Sequence, residues 1–149
     1  MALGLPQTSA TRHNQGMPQR DIGLILMRQL ASELAVPLLL ADEHGDLLYF
    51  NEPAELMLGK RFDEVGDLPL EERRRALAFR DEHGQPLPDD QPPLVVALRE
   101  QRPVHRHVWL RGFDGADRAI EVTAFPLLGG GGHLIGGVAM FWDAPEDHS

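Results

Sequence analysis

Hydrophobic residues along this chain change their spacing several times, and each change marks an element. Between Asp21 and Val36 the spacing is helical: Leu24, Met27, Leu30, Ala31, Leu34 and Ala35 share one face, and Arg28, Gln29, Ser32 and Glu33 share the other. Asp21 is a suitable N-cap, and Pro37 disfavours helix immediately before it. Ile22 and Ile25 lie towards the polar side, either as isolated surface residues or facing a partner subunit. Leu38 to Ala41 is a short run that is apolar on both faces, which fits a strand inside a sheet. Asp42 to Asp46 supplies turn residues, and Leu47 to Phe50 is the return strand. Asn51 then caps a helix that tolerates Pro53 in its first turn and ends at Gly59.

Further on, Lys60 to Val65 predicts a single helical turn and Leu70 to Phe79 a short helix. The Asp-, Pro- and Gly-rich segment from Arg80 to Pro93 predicts a solvated loop, with Asp90 capping the helix that follows and ends before Pro103. The last third reads as a three-stranded meander. Val104 to Arg111 alternates, with Val104, Val108 and Leu110 opposite His105, His107 and Trp109. An Asp-Gly turn at 113–116 leads to a strand from Arg118 to Leu127, and Gly129 to Gly132 forms a loop. Leu134 to Trp142 is apolar on both faces, with Leu134, Val138, Met140 and Trp142 opposite Ile135, Ala139 and Phe141. Such a strand must be covered twice.

Charge and composition narrow the function. The 149 residues suit one domain, and no apolar run reaches the ~20 residues of a membrane-spanning helix. The N-terminus lacks the basic and apolar regions of a secretory signal, so a cytoplasmic protein without membrane contact is expected. A net charge of −9, with one dense basic cluster at Arg73 to Arg75 behind Glu71 and Glu72, argues against a nucleic-acid partner. Glu71 and Arg75 are spaced for an i,i+4 pair, so that cluster reads as a solvated, self-paired face rather than an anion site. Cysteine is absent, which removes disulfides, thiol nucleophiles and thiol-linked cofactors.

Candidate chemistry is sparse. His105 and His107 share a strand face at a spacing that a metal or haem could use, but no third ligand is near in sequence, and a solvent-facing pair is the plainer reading. Gly129 to Gly132 lies between two strands and lacks the Lys-Ser/Thr and helix of a phosphate loop. The acids and histidines Asp42, His44, Asp81, His83 and Asp114 sit in turns, and no serine lies in a nucleophile elbow. No enzyme activity is expected.

The order helix, strand, strand, short helices, three long strands resembles the PAS family of sensor modules. The residues that carry the resemblance are DEHGDLLYFNEPAELMLG, the Pro93 to Leu98 segment, FDG at 113–115, Pro126-Leu127 with Gly136, and a terminal Asp143. It covers roughly Ile22 to Asp143. The resemblance implies an α+β fold: a five-stranded antiparallel sheet with short helices on one face, an added N-terminal helix, and the first and last strands adjacent in the middle. It also implies a sensory and protein-interaction module of bacterial-type signalling, working as a homodimer or with another signalling protein. Light-sensing flavin members use a Cys that this chain lacks, and haem-sensing members use a His on the helix before the long strands, where Pro93 to Gln101 has none. A haem or a noncovalent flavin therefore ranks behind a small apolar ligand, with no cofactor as the main expectation. Many members continue beyond the terminal Asp into an output domain. Here Asp143 is followed by Ala144-Pro145 and the sequence ends at Ser149, so either no output domain is attached or the chain is part of a longer one.

The expected organisation is a disordered tail at 1–20, a packing or dimerising helix at 21–36, the PAS-like domain at 37–143 and a tail at 144–149. Leu40, Tyr49, Leu56, Met57, Leu94, Leu98, Val108, Val122, Val138 and Met140 are expected to line an apolar pocket. Side chains could equally fill that pocket as core, leaving a ligand-free interaction scaffold. Ile22, Ile25, Leu26 and Phe141 are expected at helix or dimer packing.

Overall fold

The computed structural model describes residues 17–145, with side chains from Ile22 onward; the expected tails fall outside it at residues 1–16 and 146–149. Helix α1 spans Met17–Glu33. It already contains Asp21, so that residue is not its N-cap, and residues 17–20 belong to the helix rather than to a tail.

Six strands form one antiparallel sheet in the order β2-β1-β6-β5-β4-β3. These are β1 (Leu38–Asp42), β2 (Leu47–Phe50), β3 (Ala78–Arg80), β4 (Val104–Arg111), β5 (Asp117–Leu128) and β6 (Leu134–Asp143). The first and last strands do lie side by side, with Leu39 opposite Ala139 and Leu40 opposite Val138. The sixth strand was not expected. Residues 78 and 79 read as the end of a helix and Arg80 as the start of a loop, but all three pair with Arg111, Leu110 and Trp109 on the open edge of β4. Three residues are too few to show a strand period of their own, and the edge supplies the backbone partners.

Helices α2 (Glu52–Leu58), α3 (Phe62–Val65), α4 (Leu70–Ala76) and α5 (Pro93–Glu100) gather over one face. Asp90 does not cap α5: the cap position is Pro92, with Pro93 first in the helix. Leu39, Phe50, Leu58, Leu77, Leu94, Val108, Val122 and Phe141 form the main core beneath these helices. On the opposite face Leu38, Leu40 and Val138 make a second cluster with Ala31, flanked by Leu24, Met27, Leu34 and Met140. The central strands are thus covered twice, as their two-sided apolar character requires.

A bulge adapts β6 to α1. Leu127 pairs with Gly136 but Leu128 pairs with Leu134, leaving Ile135 as the extra residue. Cβ atoms built at Gly23 and Gly136 would lie 3.0 Å from Ile135 Cδ1 and 3.1 Å from Leu24 Cδ2 respectively, so helix and strand approach closely there.

Asn51 joins the parts. Its Oδ1 accepts from the amides of Leu38 (2.9 Å) and Ala54 (3.2 Å). Its Nδ2 donates to the carbonyls of Ala31 and Val36, both at 2.9 Å. One fully buried amide therefore caps α2 and ties it to the end of α1 and the start of β1.

Candidate functional site

The space enclosed by the sheet and α2, α4 and α5 is small. A cavity of about 30 Å³ is bounded by Leu39, Leu77, Leu94, Ile120, Val122 and Phe141, among others, with Arg73 as its one charged neighbour. That volume holds about one or two water molecules. A Cβ added at Gly137 would sit 2.9 Å from the methyl ends of both Leu94 and Leu98, so α5 lies directly on β6. The thiol that light-sensing flavin members use is missing.

Of the expected pocket residues, Leu94 and Val122 reach the cavity wall. Leu98 and Val108 belong to the same core, and Met57 packs against it from α2. The others are elsewhere. Leu40 and Val138 are buried on the α1 side of the sheet, with Met140 beside them. Tyr49 is on that side too: the Arg28 guanidinium lies 4.6 Å over its ring and Phe62 meets it edge-on at 5.3 Å. Burial raises the Tyr49 phenol above its usual range, and the charge of Arg28 opposes that shift. Leu56 points to solvent and is 78% exposed. Phe141, assigned to helix or dimer packing, is instead a buried residue of the main core at the cavity wall. For the strand residues the physical reason is common: alternation shows which residues share a face, but a strand apolar on both faces does not show which face is which.

Arg73 is the residue that sequence reasoning missed. The pair formed on α4 is Arg74–Glu71 at 2.7 Å, not Glu71–Arg75. Arg73 is only 4% exposed and donates from Nε (3.2 Å) and Nη2 (2.9 Å) to the carbonyl of Gly45 in the β1–β2 turn. Burial, and after it the adjacent Arg74 charge, lowers its pKa to about 10, while Asp46 opposes. A signal existed: Leu70, Arg73 and Leu77 are spaced i, i+3, i+7, which puts the arginine on the apolar stripe.

The opposite sheet face carries the histidines. His105 Nδ1 lies 2.8 Å from Thr123 Oγ1 and its Nε2 lies 2.7 Å from Glu121 Oε1. His107 is exposed in a shallow surface depression beside Trp109. Both point away from the enclosed cavity, so neither can ligate a haem held there. No group of three His, Asp or Glu side chains that could hold a metal occurs among the described residues.

Helix α1 presents a second apolar stripe, outward. Ile22, Ile25, Leu26 and Leu30 are 56%, 61%, 59% and 51% exposed. Leu30 therefore does not join the face that packs on the sheet. No described helix is long and apolar enough to cross a membrane.

A curled antiparallel sheet with short helices closing one face, and a flanking helix on the other, defines the class of sensory and interaction modules. The chain belongs to the PAS family, whose sequence model for the PAS fold matches residues 25–143. Solved structures agree on the fold. A PAS domain from Colwellia psychrerythraea is 16% identical, with 80% of this chain and 97% of that one covered at a TM-score of 0.58. The PAS domain of Bordetella pertussis BvgS is 18% identical, covering 83% and 87% at 0.53. The Rhodobacter sphaeroides LOV protein is 12% identical, covering 86% and 70% at 0.61. No curated protein matches the chain.

Proposed function

We propose that this PAS domain is a signalling module that works as a homodimer joined through the outward stripe of α1, with a second signalling protein as its output. The observation that carries this reading is the stripe itself, four large side chains more than half exposed on one helix face. Burying each against a second copy contributes about 1 kcal/mol for the exposed half of its surface. Leu24, Met27 and Ala31 seat the other side of α1 on the sheet, so a shift of β1 or β6 moves the helix and its mate together. The module performs no catalysis and resides in the cytoplasm.

A second reading keeps a small apolar ligand in the core. Its support is the cavity wall, aliphatic or aromatic at nearly every position. The cavity is small in this resting form, so the domain is there an interaction scaffold with a largely filled interior.

Sedimentation velocity on the full chain tests the principal reading. The wild type sediments as a dimer, and the Ile25→Glu/Leu26→Glu double variant sediments as a folded monomer. A monomeric wild type, or a variant dimer of unchanged affinity, overturns it.

A further inference from the structure

Beside the small core cavity lies a roomier cleft of about 180 Å³ between α4, β3 and the segment leading into α5, and Arg73 borders both. We propose that this cleft binds a small carboxylic acid with a short apolar body, its carboxylate held by Arg73 and Arg74.

The two guanidinium groups are incompletely used. Arg73 spends Nε and Nη2 on a single carbonyl, that of Gly45, and its Nη1 has no hydrogen-bond partner among the described residues. No carboxylate lies within 4.0 Å of it among those residues, so this buried cation faces only a neutral dipole at close range. Buried charges are ordinarily paired, and a charge left unpaired is costly. Arg74 bonds through Nη1 to Glu71 at 2.7 Å and through Nη2 to the Asp89 carbonyl at 3.2 Å. Its Nε is buried without any partner. Two cationic side chains thus border one cleft, with the spare Arg74 Nε lying beneath its surface, and a planar carboxylate is the anion a guanidinium fork best accepts.

The remaining wall selects the rest of the ligand. Leu77, Phe79, Pro92 and Val95 offer apolar surface, which a bare inorganic anion leaves uncovered. The cleft is about six times roomier than the core cavity, space for a small organic acid rather than for water alone. Three carboxylates compete: Glu71 holds Arg74 Nη1 at 2.7 Å, Asp46 acts on Arg73, and Asp89, with an 83% exposed side chain, stands 3.8 Å from Arg74 Nη1, beyond hydrogen-bond distance. Asp89 can swing to solvent as the ligand enters.

Isothermal titration and amide NMR shifts on the full chain test this, with hexanoate, hexanamide and inorganic phosphate as probes. Hexanoate is expected to bind saturably, with shifts concentrated in α4, β3 and the start of α5, and hexanamide and phosphate at least tenfold more weakly. Arg74→Gln weakens hexanoate tenfold or more while keeping the fold, since Gly45 is held by Arg73. Val95→Glu abolishes binding with both arginines intact. Arg73→Lys keeps a cation but loses the fork, and weakens hexanoate in whatever fraction folds. Equal binding of hexanamide, equal binding of phosphate, no saturable hexanoate binding, or an Arg74→Gln variant of unchanged affinity each overturns the proposal. The Ile25→Glu/Leu26→Glu variant binds hexanoate as the wild type does, which separates this site from the dimer reading.

Discussion

The side-chain amide of Asn51 donates to the backbone carbonyl of Ala31 across 2.9 Å, and both residues are fully buried. Ala31 lies in the last turn of α1, and Asn51 starts α2 on the far side of β2. This bond makes α1 part of the domain rather than a loose extension. A helix with an outward apolar stripe on one face, bonded to the domain core near its end, is placed to carry strain between the core and the proposed dimer contact.

Asn51→Ala removes the cap of α2, strands the Leu38 amide and the half-buried Val36 carbonyl, and leaves the Ala31 carbonyl with the Leu34 amide (3.2 Å). We expect a loss of about 3 kcal/mol or more in urea unfolding, summing a lost cap and the stranded groups. Hydrogen exchange should quicken in the last turn of α1 as well as in α2. A loss below about 1 kcal/mol would mean that water replaces the amide without difficulty.

Two neighbouring glycines should differ in their tolerance of a methyl group. At Gly136 the added Cβ would lie 2.5 Å from the Ala41 carbonyl oxygen, a backbone atom that can move only by disturbing the β1–β6 pairing. At Gly137 it meets only the ends of Leu94 and Leu98, which can rotate. Gly136→Ala should cost roughly 1–3 kcal/mol in thermal or urea unfolding, and Gly137→Ala less. The reverse ranking would show that α5 is the tighter contact.

Acid sensitivity should have an identifiable contributor in Asp117. It accepts from Arg111 (Nε at 3.2 Å and Nη2 at 3.3 Å) and pairs with Arg80 Nη2 at 3.0 Å, joining β3, β4 and β5. The Arg111 hydrogen bond, then that of Arg80, holds its carboxyl below the usual range. A carboxyl lowered in the folded state adds stability above its unfolded value, ~3.9, and that stability is lost as pH falls through the folded value. Melting temperatures of the wild type and Asp117→Asn should therefore differ at neutral pH and begin to converge only below about pH 4, as pH falls through the folded value. Curves that stay parallel down to acid pH would remove Asp117 from that role.

What the sequence made legible, and what it hid, follows from local chemistry. The segment from Leu38 to Gly59 was readable because its signals are short-ranged: the Asp42 carboxylate accepting from the amides of His44 and Asp46, the Asn51 cap and the left-handed Gly59. Face assignment was not, because Leu38 to Ala41 and Leu134 to Trp142 carry no polar face to mark solvent. The small residues Gly137 and Ala139 were the available clue, since a helix can lie so close only over small side chains. Leu56 was misplaced for a related reason: Ala54 and Leu58, four apart, are the buried pair of α2, and Leu56 falls between them. Arg73 was hidden by its neighbours, because in a run of three arginines behind two glutamates the charge pattern outweighs the apolar spacing. The strand β3 depends on a β4 edge some thirty residues away, as its pairing with Arg111, Leu110 and Trp109 shows.

Since the chain has no cysteine, one introduced thiol reports on one place, and this gives the most direct test of pairing through α1. Ile25→Cys puts a thiol in the outward stripe, and Lys60→Cys puts one at an exposed position away from it. Under mild oxidation at micromolar protein, Ile25→Cys is expected to form a covalent dimer rapidly and nearly completely, and Lys60→Cys to remain monomeric on a nonreducing gel. Equal, slow cross-linking of the two would contradict a homodimer built on α1.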